Sequence, residues 1–196
     1  MNWQYSKRAD GKIAVSLDNN VWNFLFDRTL NLASELPSDE FAIFIPREVE
    51  IVKDAIPLKE SKASLKAYID QTIADCNIQT TFVFGFAIEG PGPQRVGGFG
   101  QGTWQSRTES EFYAAIREKF LIGQREMRSQ LSKNEGDAAV AAQSFFSIVL
   151  TGESRKVNGP LRYAADHGGA ICYLDGFDES GQTLKEYIVS FNQMFD

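Results

Sequence analysis

Two short apolar runs near the end of the chain, SIVL at 147–150 and AICYL at 170–174, are separated by a segment of helical character at about 158–167. The same alternation opens the chain. IAVSL at 13–17 reads as a strand, residues 20 to about 36 as a helix with Trp22, Leu25, Phe26 and Leu30 facing the core, and FAIFI at 41–45 as a second buried strand. Strand, helix and strand at this spacing imply parallel βαβ units, and hence an α/β fold: a three-layer α/β/α sandwich with a central parallel sheet. A length of 196 residues suits one such domain spanning 1–196.

Between these segments the pattern continues. Pro46 sits where a helix can begin, because proline is tolerated in the first turn, and the helix it opens carries Arg47, Glu48, Val49, Glu50, Ile51 and Val52 before stopping near Pro57. Residues 58–76 read as another helix with Leu65, Tyr68, Ile69 and Ile73 at helical spacing, and TTFVFGFA at 80–87 as a strand. The glycine-rich stretch at 85–106 is an insertion or lid. Its GGFGQG matches neither dinucleotide-binding nor phosphate-loop spacing. A long helix or helix pair follows from about 109 to 131. Asn134 is then the expected N-cap of an alanine-rich helix, with Glu135 and Asp137 in its first turn. Residues 182–196 read as a terminal amphipathic helix.

Composition narrows the function classes. Hydrophobic residues at 43% and charged residues at 23% are ordinary for a soluble globular protein. No apolar run is long enough for a membrane span, and the first twelve residues lack a signal peptide's apolar core. Cys76 and Cys172 stand far apart without a metal-binding cluster, as expected of reduced thiols in a cytoplasmic protein. A net charge of −6 argues against a surface that coats nucleic acid. Basic residues do cluster locally, at Arg117, Lys119, Arg125, Arg128 and Lys133 and again at Arg155, Lys156 and Arg162. The sole histidine, His167, falls at a helix C-terminus before Gly168 and Gly169, where it suits the helix dipole better than catalysis.

Asp18 is the awkward residue. It stands between a core strand and a core helix, where desolvating a carboxylate is costly. Three other acids occupy equivalent places: Glu50 (or Glu48) early in the helix after the second strand, Asp137 at the start of the alanine-rich helix, and Glu153 after the strand at 147–150. In a parallel sheet the carboxyl ends of strands and the N-termini of the following helices meet on one side, so all four are expected on one rim. Each alone has a helix-capping explanation. Together they repel, and a hard divalent cation such as magnesium or manganese relieves the repulsion. Glu48 and Glu50 differ by roughly 200° around a helix, so only one faces the rim well, and Glu50 is preferred.

LDNN after the first strand, an acid within PREVEI, NEGDAAVAA and VLTGES together resemble the PIN-domain ribonucleases, a family that includes toxins of bacterial toxin–antitoxin pairs. The resemblance covers the first fifty residues and 134–174. It implies a magnesium- or manganese-dependent endoribonuclease acting on single-stranded RNA, with Asp18, Glu50, Asp137 and Glu153 as metal-binding acids and Asn20 or Thr151 as polar support. Arg155, Lys156 and Arg162 would guide the RNA backbone to the acidic rim. An antitoxin-like protein inhibitor and a homodimer are the further partners it suggests. Asn19 departs from the family's usual small hydroxyl residue, and Glu153 from its commoner aspartate. Those departures suit a rival reading, a PIN-like binding or assembly module with a degraded site. A third is an α/β nucleotide- or metal-binding domain.

Overall fold

Strand β1 (Ile13–Leu17) has buried side chains on both faces, with Val15 and Leu17 wholly enclosed, so it can only be an interior strand. Its one polar interior residue, Ser16, is satisfied by the Ser147 hydroxyl at 2.7 Å. The computed structural model describes residues 3–55, 60–81, 83–84, 96–97, 107–120, 131 and 134–196. After β1 come helices α1 (Val21–Asp27) and α2 (Leu32–Glu35), strand β2 (Phe41–Pro46), helices α3 (Arg47–Asp54) and α4 (Glu60–Asp75), and strand β3 (Gln79–Thr81). Two-residue strands β4 (Val83–Phe84) and β5 (Val96–Gly97) pair with each other in parallel. Then follow α5 (Arg107–Phe120), α6 (Glu135–Gln143), β6 (Ile148–Thr151), α7 (Pro160–Asp166), β7 (Ile171–Tyr173), α8 (Phe177–Ser180) and α9 (Leu184–Gln193).

The main sheet has five strands in the order β3-β2-β1-β6-β7, and every pairing is parallel. Val15 faces Ile43 on one side and Ile148 on the other. Helices α1 and α2 pack with α4, whereas α5 and α7 pack with α6, so helices flank the sheet as the alternating pattern requires. The alanines of α6 permit a close approach. Ala138, Ala141 and Val140 are fully buried. Chain order runs outward from β1 through β2 to β3, and outward again on the other side through β6 to β7. The direction therefore reverses between β1 and β6. Among the described residues, no helix is long and apolar enough to cross a membrane.

Several expected boundaries shift. The helix expected over 20–36 is two helices, because Thr29 takes φ 53° and turns the chain. The Leu30 amide donates to the Leu25 carbonyl and the Thr29 amide to that of Phe26, each at 3.0 Å, which is the paired closure of a left-handed helix end. Asn31 then caps α2 by accepting from the Ser34 amide at 3.2 Å. Asn134 precedes α6 as expected but does not cap it. It has φ 63°, and its side chain donates instead to the Phe120 carbonyl at 3.2 Å. The strand expected over 80–87 appears as β3 and the short β4. The stop near Pro57, the glycine-rich stretch apart from Val96 and Gly97, Arg125, Arg128 and Lys133 lie outside the described residues, as does the Arg117 side chain.

Candidate active site

Ligand crevices of open parallel sheets form at the carboxyl ends of the strands where the winding direction reverses. Here that point lies between the ends of β1 and β6, which carry Asp18 and Thr151. The Asp18 amide donates to the Leu150 carbonyl at 3.1 Å, so the ladder itself carries Asp18 to the end of β6. Its side chain is buried, at 4% exposure.

None of the three polar residues of the LDNN turn caps α1. Asn20, at the cap position, has helical backbone angles and makes no capping bond. The Asp18 and Asn20 side chains bond across to β6 and the residue after it instead. The Thr151 hydroxyl donates to Asp18 Oδ2 at 2.7 Å, and the Asn19 amide donates to Asp18 Oδ1 at 2.7 Å. Thr151 Oγ1 also accepts from the Glu153 amide at 3.0 Å and from Asn20 Nδ2 at 3.4 Å. With those two bonds accepted, the hydroxyl proton is committed to Asp18. Asn20 Oδ1 accepts from the Gly152 amide at 2.7 Å. A Cβ at Gly152 would stand 3.3 Å from that same oxygen, so a glycine lets the two loops approach this closely.

The electrostatics identify which acids converge. Burial pushes the Asp18 carboxyl above its ordinary range, opposed by the hydrogen bonds from Thr151, Asn19 and Asn20. Glu153 is pushed up to about 7, first by loss of solvent and then by the negative charges of Asp137 and Asp18. Glu153 therefore feels the charges of Asp18 and Asp137, and Asn20 and Thr151, the predicted polar support, bond at the Asp18 side of the rim. Glu50 is held in an ion pair by Arg47, one helical turn earlier on α3. Glu48 is half-buried on the same helix. Glu135, read from the sequence only as a first-turn acid, is buried at 8% exposure. Of the three basic candidates, Arg155 lies 3.5 Å from Asp175, and Arg162 donates to Asp166 at 2.9 Å and to the Arg155 carbonyl at 2.8 Å. Lys156 is exposed.

The donor set fits a hard divalent cation: carboxylate oxygens that raise one another's affinity for positive charge, with no thiolate or imidazole among them. In the observed conformation, no group of three or more His, Cys, Asp or Glu among the described residues is arranged to hold a metal ion. Asp18 spends both carboxylate oxygens on its own chain. Comparisons with protein-family models, curated proteins and solved structures found no match to this chain.

The charge on Glu153 has a sign that can be checked. A carboxyl raised from 4.5 to about 7 costs no stability while both folded and unfolded forms are protonated. The cost grows as pH rises through that interval, because the unfolded chain ionises first, and it persists above it. Because the group is partly open to solvent, screening reduces the effect to about 1 kcal/mol, or about 3 °C in Tm. Glu153→Gln is therefore expected to melt higher than the wild type at about pH 8 and equally at about pH 4. Equal melting at both values would contradict the coupling.

Proposed function

We propose that this protein is a magnesium- or manganese-dependent endoribonuclease that hydrolyses phosphodiester bonds of single-stranded RNA. What supports the proposal is the Asp18 carboxylate buried at the reversal point of the sheet and Glu153 raised by burial and then by the charges of Asp137 and Asp18. These three would hold the cation, and Glu50, beside Arg47 on α3, is the fourth acid proposed for the same role. When bound, such an ion supplies a water of lowered pKa and offsets charge on the attacking and leaving oxygens.

The chain's own groups have distinct tasks. Thr151 fixes the Asp18 carboxylate by donating to Oδ2, and Asn20 ties the β1 and β6 loops together through Gly152. Glu153, raised by burial and by the charges of Asp137 and Asp18, would gain most from a bound cation, which offsets that repulsion. Arg155, Lys156 and Arg162 lie just beyond Glu153 and offer positive charge to the RNA backbone on a rim that is otherwise acidic. A toxin-type role adds an antitoxin-like inhibitor that covers this rim.

The test is cleavage of a labelled single-stranded RNA by the purified chain, with manganese or magnesium and with a chelator. Cleavage that requires the ion and stops on chelation is expected. Metal-independent cleavage, or none, contradicts the proposal. The engagement of both Asp18 oxygens by its own chain favours one alternative, a PIN-like binding module. A divalent ion would then raise Tm without any RNA being cut.

A further inference from the structure

Arg47 opens α3 directly after Pro46, at the end of β2. A cation at a helix N-terminus opposes the helix dipole, so this placement weakens the helix. The Arg47 Nη1 donates to Glu50 Oε2, one turn further along α3. As a helix-stabilising pair this has the less favourable order, because an acid preceding its base suits the dipole better. It is also unlike the other ion pairs of the described residues. Arg47 and Glu50 are both largely enclosed, at 24% and 25% exposure, whereas each of the others has a partner at 43% or more. Helix stability therefore does not explain this arginine.

What the pair does is fix Glu50. Helix α3 starts at the carboxyl end of β2, the neighbour of β1, whose own end carries Asp18. It packs against α6, whose first turn carries Asp137. A glutamate side chain has several rotatable bonds, and holding it in one arrangement costs conformational entropy when a ligand must do so alone. The bond from Arg47 takes Oε2 and leaves Oε1 without a hydrogen bond among the described residues. Asp18 is held in a comparable way, its Oδ2 accepting from the Thr151 hydroxyl. Carboxylates that bind metal ions are themselves hydrogen-bonded by neighbouring donors, which set their orientation.

We propose that Arg47 is a positioning residue that holds Glu50 by Oε2 and so presents Oε1 to a divalent cation shared with Asp18. This rests on the reading of Glu50 as the fourth acid of the nuclease site. In this role Arg47 acts through Glu50 rather than on the ion or the RNA. Two effects of the guanidinium have opposite signs: it orients a ligand, and its charge repels the ion. Orientation prevails, because the pair is partly open to solvent, which screens the repulsion. Loss of an outer hydrogen bond to a metal ligand costs about 10- to 100-fold in affinity.

Manganese binding, read from the electron paramagnetic resonance signal of the free ion, gives a Kd for the purified chain that does not depend on cleavage. Arg47→Met keeps the aliphatic stem and removes the donors, and it is expected to raise that Kd about tenfold. Arg47→Lys, which keeps a charged donor, is expected to restore part of the affinity. In a Glu50→Gln background, Arg47→Met is expected to cause no further loss, because the two residues act as a unit. Cleavage should follow the same split: Arg47→Met needs more manganese for half its maximal rate, while the rate at saturating manganese stays near that of the wild type. An unchanged Kd, a lower Kd, or a full second loss on top of Glu50→Gln overturns the positioning role. A wild type that binds manganese but cuts no RNA overturns the nuclease reading alone, and one that binds no manganese overturns both.

Discussion

Asp18→Asn is expected to lower metal-dependent RNA cleavage by about a thousandfold or more while leaving the fold intact. The two halves of that result have separate causes. Asp18 is the most deeply buried acid of the rim, and its charge is what a cation there would require. Asparagine keeps the shape and one carbonyl oxygen, so the Asn19 amide retains an acceptor while the Thr151 hydroxyl loses its own and meets an amide NH2. It also removes a carboxylate whose burial disfavours ionisation. Melting near the wild-type temperature, the lost Thr151 bond offsetting the relieved desolvation, together with lost cleavage, is therefore the expected pair of observations. Asp137→Asn should behave alike in cleavage. If both variants cut RNA at the wild-type rate, the rim is not the active site.

Trp22→Ala is expected to produce the opposite pattern: a large loss of stability with chemistry intact in whatever remains folded. Trp22 is 1% exposed and sits in the first turn of α1, directly after the LDNN turn. Removing a buried indole costs about 4 kcal/mol, which for a chain of this size lowers Tm by about 12 °C. The indole Nε1 has no hydrogen-bond partner, so the side chain contributes by packing alone. Trp22→Phe should then cost only about 1–2 kcal/mol, since no hydrogen bond is lost with the indole nitrogen. Thermal denaturation of the two variants measures this. An alanine variant within about 1 kcal/mol of the wild type would contradict the packing described.

The sheet was legible because β1, β2, β6 and β7 are continuous apolar runs separated by helical segments, a pattern with few topological solutions. Asp18 was legible for the same reason. Three polar residues interrupting an apolar run demand more than a cap, and in the structure two of them, Asp18 and Asn20, make cross-strand bonds to Thr151 and Gly152. The end of α1 was hidden because a threonine, not a glycine, takes the left-handed position. The side chain of Asn134 was misread because a residue that usually caps its own helix bonds to α5 here, a contact set by packing. Helical rotation could separate Glu48 from Glu50 but could not reveal that Arg47 pairs with Glu50.

The central claim is that Asp18, Asp137 and Glu153 hold a divalent cation for phosphodiester hydrolysis. Anomalous scattering from a manganese-soaked crystal tests it most directly. The expected result is a peak within about 2.3 Å of a carboxylate oxygen of Asp18 and of at least one of Asp137 and Glu153. Manganese bound elsewhere, with Asp18 still held by Thr151 and Asn19 alone, would contradict it.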